Sequence, residues 1–139
     1  MKFGIISVFA TAACLYSQAA LANVSDAEQI IGPTIKNLEE NNAQAAVDAF
    51  FAGSEMMAGK QQELSYLVTQ IRGTLDIYGK ISDCELVDSQ SKGQLLLRNI
   101  YICQHEKFLT RWTLSVARTG KGWTGLNLSF DDKVEQLFD

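Results

Sequence analysis

Proline and histidine each occur once in 139 residues, and cysteine three times. With no Cys-x-x-Cys and no pair of histidines, the chain cannot assemble the ligand set of a zinc finger. Cationic excess is also missing: 12 Lys and Arg are scattered against 16 Asp and Glu, for a net charge of −4. That balance argues against nucleic acid as a partner, because phosphate contacts need clustered cations. No glycine-rich phosphate loop is present, since the glycines stand alone or in expected hairpins. There is no internal repeat and no low-complexity stretch. What remains is 47% hydrophobic and 20% charged residues, which excludes disorder, in a length that suits one domain.

The first 22 residues read as an export signal. Met1-Lys2 is a short positive start, and Phe3 to Tyr16 carries no charge around an apolar middle. Ala20-Leu21-Ala22 then offers small side chains where a signal peptidase pocket accepts them, so cleavage is expected after Ala22. The apolar run falls short of the ~20 residues of a spanning helix, so no membrane span is expected after cleavage. A second route would lipidate Cys14, preceded by Thr11-Ala12-Ala13. Cleavage after Ala22 removes Lys2 and no acid, leaving a single domain over 23–139 with a net charge of −5. The expected location is periplasmic or secreted. Cys84 and Cys103 are then the only cysteines, in a compartment where disulfides persist.

The mature chain reads as helices first and strands afterwards. Ser25-Asp26-Ala27-Glu28 has the form of a capping box and predicts a helix start, and Gly32-Pro33 predicts a break or kink within that helix. Asn42 predicts the N-cap of a second helix carrying Val47, Phe50 and Phe51. Leu64, Leu67, Val68, Ile71, Leu75 and Tyr78 share one face of a 3.6-residue period, and Gly79 predicts that helix's end. The period then changes to two, predicting strands over 81–90, 95–104, 108–118 and 123–130. This order predicts an α+β fold, with N-terminal helices packed on a curved four-stranded antiparallel sheet.

Turn positions predict the pairing. A two-residue turn at Gly93-Gln94 opposes Cys84 to Cys103, Leu86 to Tyr101 and Asp88 to Asn99. A turn at Glu106-Lys107 opposes Tyr101 to Trp112, and a three-residue turn at 120–122 opposes Trp112 to Phe130 and Val116 to Leu126. These registers place Cys84, Leu86, Leu97, Tyr101, Cys103, Trp112, Leu114, Val116, Leu126, Leu128 and Phe130 on one inner face. Opposed positions predict a Cys84–Cys103 disulfide. The outer face keeps Val87, Ile100, Ile102 and Leu109, an apolar strip that implies a homodimer through the sheet.

Two polar residues intrude on the predicted inner face. Asp88 and Asn99 either line a pocket, with Asp88 as a base, or mark the solvated end of the sheet. His105 stands beside a turn and reads as solvent-facing, and no Ser-His-Asp set assembles around it. Tyr78, Tyr101 and Trp112 are ligand-binding candidates, though such aromatics are more often core or rim residues than a ligand cage. The residues imply no metal and no cofactor.

The third helix closing in Tyr78-Gly79-Lys80, the strands after it, and Gly122-Trp123 ahead of Leu128 and Phe130 resemble the nuclear transport factor 2-like superfamily, in particular its small secreted bacterial members. The resemblance implies a cone of helices wrapped by a curved sheet. Members include isomerases and dehydratases, with Asp/Tyr or His/Asp sets inside the cone, and many non-catalytic binding domains. Here Asp88, Tyr78 and Tyr101 would fill such places. The expectation is thus an exported non-catalytic domain that binds a small apolar ligand or a partner protein. The alternative is a lyase or isomerase of a small apolar substrate, with Asp88 as base and a tyrosine as oxyanion donor.

Overall fold

The computed structural model describes the backbone of residues 16–139 and the side chains from Asp26 onward. Most of the expected signal segment, including Cys14, lies outside the described residues. Four helices come first: α1 (Tyr16–Glu39), α2 (Ala43–Phe51), the short α3 (Glu55–Ala58) and α4 (Gln61–Tyr78). Four strands follow, β1 (Ile81–Lys92), β2 (Leu96–His105), β3 (Leu109–Thr119) and β4 (Gly122–Asp131), and a 3-10 turn (Val134–Phe138) ends the chain. The strands form one antiparallel sheet in the order β1-β2-β3-β4, so the fold is α+β.

The helix ends follow local chemistry. Asn42 accepts a hydrogen bond from the Ala45 amide and starts α2, and Ser54 does the same for α3 through Met57. Gly79 closes α4 at φ 88°, a conformation that costs a residue with a Cβ more than it costs glycine. Two expectations for α1 need correction. The helix does not start at Ser25, because the alanine-rich stretch before it already propagates helix from Tyr16. Nor does Pro33 interrupt it. Gly32 and Pro33 lie on the exposed side, where water can serve the carbonyl that proline leaves unpaired, while Ile31, Thr34, Ile35 and Leu38 stay buried on the other.

Two of the three hairpins differ from the simple ladder in the same way. The first turn holds three residues, because Lys92 pairs with Leu96, and the extra residue Val87 is absorbed as a bulge between Leu86 and Asp88. Cys84 still meets Cys103, and Leu86 still meets Tyr101, but Asp88 faces Ile100 and Ser89 faces Asn99. The last turn holds two residues, because Thr119 pairs with Gly122, and Leu126 is the bulged residue. Val116 therefore opposes Gly125 and not Leu126, while Leu114–Leu128 and Trp112–Phe130 pair as expected. The middle hairpin keeps one register throughout, with Tyr101 against Trp112.

The core lies between the inner sheet face and the helices. Trp112, Leu114, Val116, Phe50, Val47, Ile31 and Ile71 have no exposed surface. Helix α1 crosses the sheet and touches β1 and β4, α2 packs on α1 and β4, and α4 packs on α2. Gly125 lets the backbones of α2 and β4 approach: a Cβ there would collide with the Phe50 carbonyl and ring. Two residues expected inside are outside, Leu86 at 48% exposure and Leu126 at 58%. Each is a bulged residue or the neighbour of one, where strict alternation lapses.

Candidate functional site

Cys84 and Cys103 are bonded, with their Cα atoms 4.0 Å apart, and staple β1 to β2. The free edge of β1 is covered near this staple by the end of α1. Asn41 donates to the Ile81 carbonyl and accepts from the Ile81 amide, as a neighbouring strand would, and Glu39 accepts from the Cys84 amide. The disulfide and this cover fix the start of β1, and the bulge at Val87 then sets the face that β1 presents further on.

The polar candidates on the inner face are consumed by the fold. Asn99 is buried, accepts from the Ser89 hydroxyl at 2.7 Å and donates to Glu28 at 3.4 Å. Tyr101 is buried beside it; burial and the Glu28 carboxylate raise its pKa, partly offset by the Asn99 amide. Trp112 stacks on Phe130 with ring centroids 4.5 Å apart and donates to the Thr110 hydroxyl at 2.7 Å. Tyr78 is at the other end of the sheet, donating to Asp132 at 2.6 Å, and that bond raises its pKa.

His105 is not the solvent-facing turn residue that its position suggested; it is buried. It ends β2 with the same inward parity as Tyr101 and Cys103. Its Nδ1 lies 2.8 Å from the Gly79 carbonyl, which can only accept, so Nδ1 carries the proton. Its Nε2 lies 2.8 Å from the Thr110 hydroxyl; with the proton of the neutral ring on Nδ1, Nε2 accepts, so the hydroxyl donates to it while accepting from the Trp112 indole. This chain of bonds satisfies each member and ties the end of α4 to β2 and β3.

Asp88 corrects the inner-face reading most sharply. Paired with Ile100, it lines the outer face, away from the tyrosines of the core. Asp88, Tyr78, Asn99, Tyr101 and Trp112 therefore share no cavity. Among the described residues no group of three His, Cys, Asp or Glu is placed to hold a metal ion.

The outer face holds a groove of about 950 Å3. Its floor is Val87 from β1, Ile100 and Ile102 from β2, and Leu109 from β3; Val134 and Leu137 of the 3-10 turn form the opposite wall. The C-terminal segment is tethered there by polar bonds. Arg111 donates to both carboxylate oxygens of Asp131, at 3.1 and 2.6 Å, and to Gln136 at 3.3 Å. The Arg111 hydrogen bonds hold the Asp131 carboxyl below its usual pKa, with the Lys133 amide adding to the effect against partial burial. No residue of the 3-10 turn is buried, and Phe138 is 92% exposed.

No family model, curated protein or solved structure matches this chain. The groove and its chemistry thus carry the functional reading. A second groove of about 510 Å3 lies between α3 and the β3–β4 hairpin, lined by Met56, Met57 and Leu126. The contribution of residues 134–138 to the outer groove leaves no mark in the sequence pattern. A short run such as Val134, Leu137 and Phe138 signals a helical turn but not where it docks.

Proposed function

We propose that this protein is an exported, non-catalytic binding domain whose outer sheet face takes an apolar ligand or a partner protein. The observation that carries the reading is the groove of about 950 Å3, with an apolar floor from three strands and a wall from the C-terminal turn. Its size falls in the range of ligand sites, and exposed Val87, Phe108 and Leu109 border it. Among the described residues the inner face is filled by Trp112, Leu114, Val116 and Phe50. The lyase or isomerase reading loses its base, because Asp88 is on the opposite side of the sheet from Tyr101.

Export to the periplasm or beyond is supported by the disulfide. Among the described residues no helix is long and apolar enough to cross a membrane. Helices followed by an antiparallel meander also support a place beside the nuclear transport factor 2-like superfamily, on element order alone. Native mass spectrometry of protein taken from its own periplasm tests the function. A retained ligand, or a partner released by Ile100→Asp, is the expected result. Wild type and Ile100→Asp that are both bare monomers from fresh periplasm would overturn the reading, and a homodimer lost in Ile100→Asp would identify the partner as a second copy.

A further inference from the structure

The groove's charges narrow its occupant, and this step rests on the outer-face reading above. Asp88 stands on the β1 side, and Glu135 and Asp139 on the C-terminal side. Arg111 is the cation among the lining residues, and Asp131 already neutralises it. Glu85, opposite Ile102, adds an acid beside the floor, while Arg98 near the far end donates to Gln90. The groove therefore sets unpaired carboxylates along both walls of an apolar floor.

We infer that the outer groove binds a basic amphipathic peptide segment, its apolar side chains on Val87, Ile100, Ile102 and Leu109 and its Lys or Arg side chains against Asp88 and Glu135. A floor crossing three strands is about 10 Å wide at the usual strand spacing of about 4.8 Å. Carboxylates on both walls match cations repeated along a chain better than the single head of a small amphiphile. Charge of this kind raises the rate of encounter and selects the partner, while the apolar floor supplies the contact area. The mature chain's net charge of −5 acts in the same direction.

The test uses the mature chain 23–139 and a fluorescein-labelled amphipathic Leu/Lys peptide, read by anisotropy. The same peptide with Glu for Lys, and dodecyltrimethylammonium, serve as comparisons. The Lys peptide should bind, and Asp88→Asn with Glu135→Gln should weaken it roughly tenfold at low salt. That difference should shrink as ionic strength rises to about 0.15 M, where the screening length is about 8 Å. Asp48→Asn with Glu63→Gln, on α2 and α4, changes net charge equally and should leave binding nearly unchanged. Equal binding of the Lys and Glu peptides, or equal weakening by the two variant pairs, would overturn the inference. So would binding of the alkylammonium without the peptide. Methyl NMR separates the two levels of failure. If neutral dodecanol shifts Ile100 and Ile102 while the Lys peptide does not, the charged occupant is wrong and the groove stands. If no probe shifts them, both fall.

Discussion

Cys84 and Cys103 oppose each other across β1 and β2, although the turn between them is one residue longer than a simple hairpin requires. The bulge at Val87 takes up the extra residue, so the pairing beyond it is restored. The bridge closes a loop of 19 residues' separation, worth about 3 kcal/mol on the chain-entropy estimate. Cys84→Ser with Cys103→Ser should lower urea stability by about that amount and leave the far-UV spectrum unchanged. Denatured, unreduced wild type should show no free thiol among residues 23–139. Two free thiols would contradict the staple.

The Thr110 hydroxyl serves His105 and Trp112 at once, both buried. Thr110→Val keeps the shape and orphans the His105 Nε2 and the Trp112 indole N–H. The expected loss is about 2–4 kcal/mol in urea unfolding, with Thr110→Ser close to wild type. Nitrogen-15 shifts of His105 should report the Nδ1-protonated tautomer in wild type.

Gly125 faces the Phe50 carbonyl so closely that a methyl group cannot enter without moving α2 or β4. Gly125→Ala should cost about 3 kcal/mol by thermal or urea unfolding. Gly120→Ala, with open space around its Cβ position, is the comparison and should be nearly neutral.

Much of the fold was legible because its signals are periodic. The 3.6-residue stripe of α4, the switch to period two after Gly79, and the Cys84–Cys103 opposition all follow from spacing. The bulges at Val87 and Leu126 were not legible, because a bulge inserts one residue without a distinctive side chain. Each compensated a turn of different length, so most of the inner face came out right while Asp88 and Leu126 came out on the wrong side. His105 was recoverable: counting by twos from Tyr101 and Cys103 places it inward. The candidate site was the least legible part: the register that opposes Trp112 to Phe130 also sets the Arg111–Asp131 clamp, but no spacing shows Val134 and Leu137 folding back onto the outer face.

That clamp titrates. Arg111 lowers the Asp131 pKa in the folded chain, so the tether's contribution is present above the ordinary aspartate pKa and is lost as pH falls through the lowered one. Carbon-13 titration of the Asp131 carboxyl should show a midpoint below the ordinary value, returning toward it in Arg111→Gln. The amides of residues 134–138 should lose their native shifts over the same acid range. An Asp131 midpoint indifferent to Arg111→Gln would contradict the clamp.

The outer face as a binding surface is tested most directly by isoleucine methyl NMR of residues 23–139, titrated with fractionated periplasmic extract. Ile100 and Ile102 should shift in at least one fraction, while Ile31 and Ile71, buried between helices and sheet, hold their positions. Shifts confined to Ile31 and Ile71, or an unmoved Ile100 and Ile102 in every fraction, would contradict it.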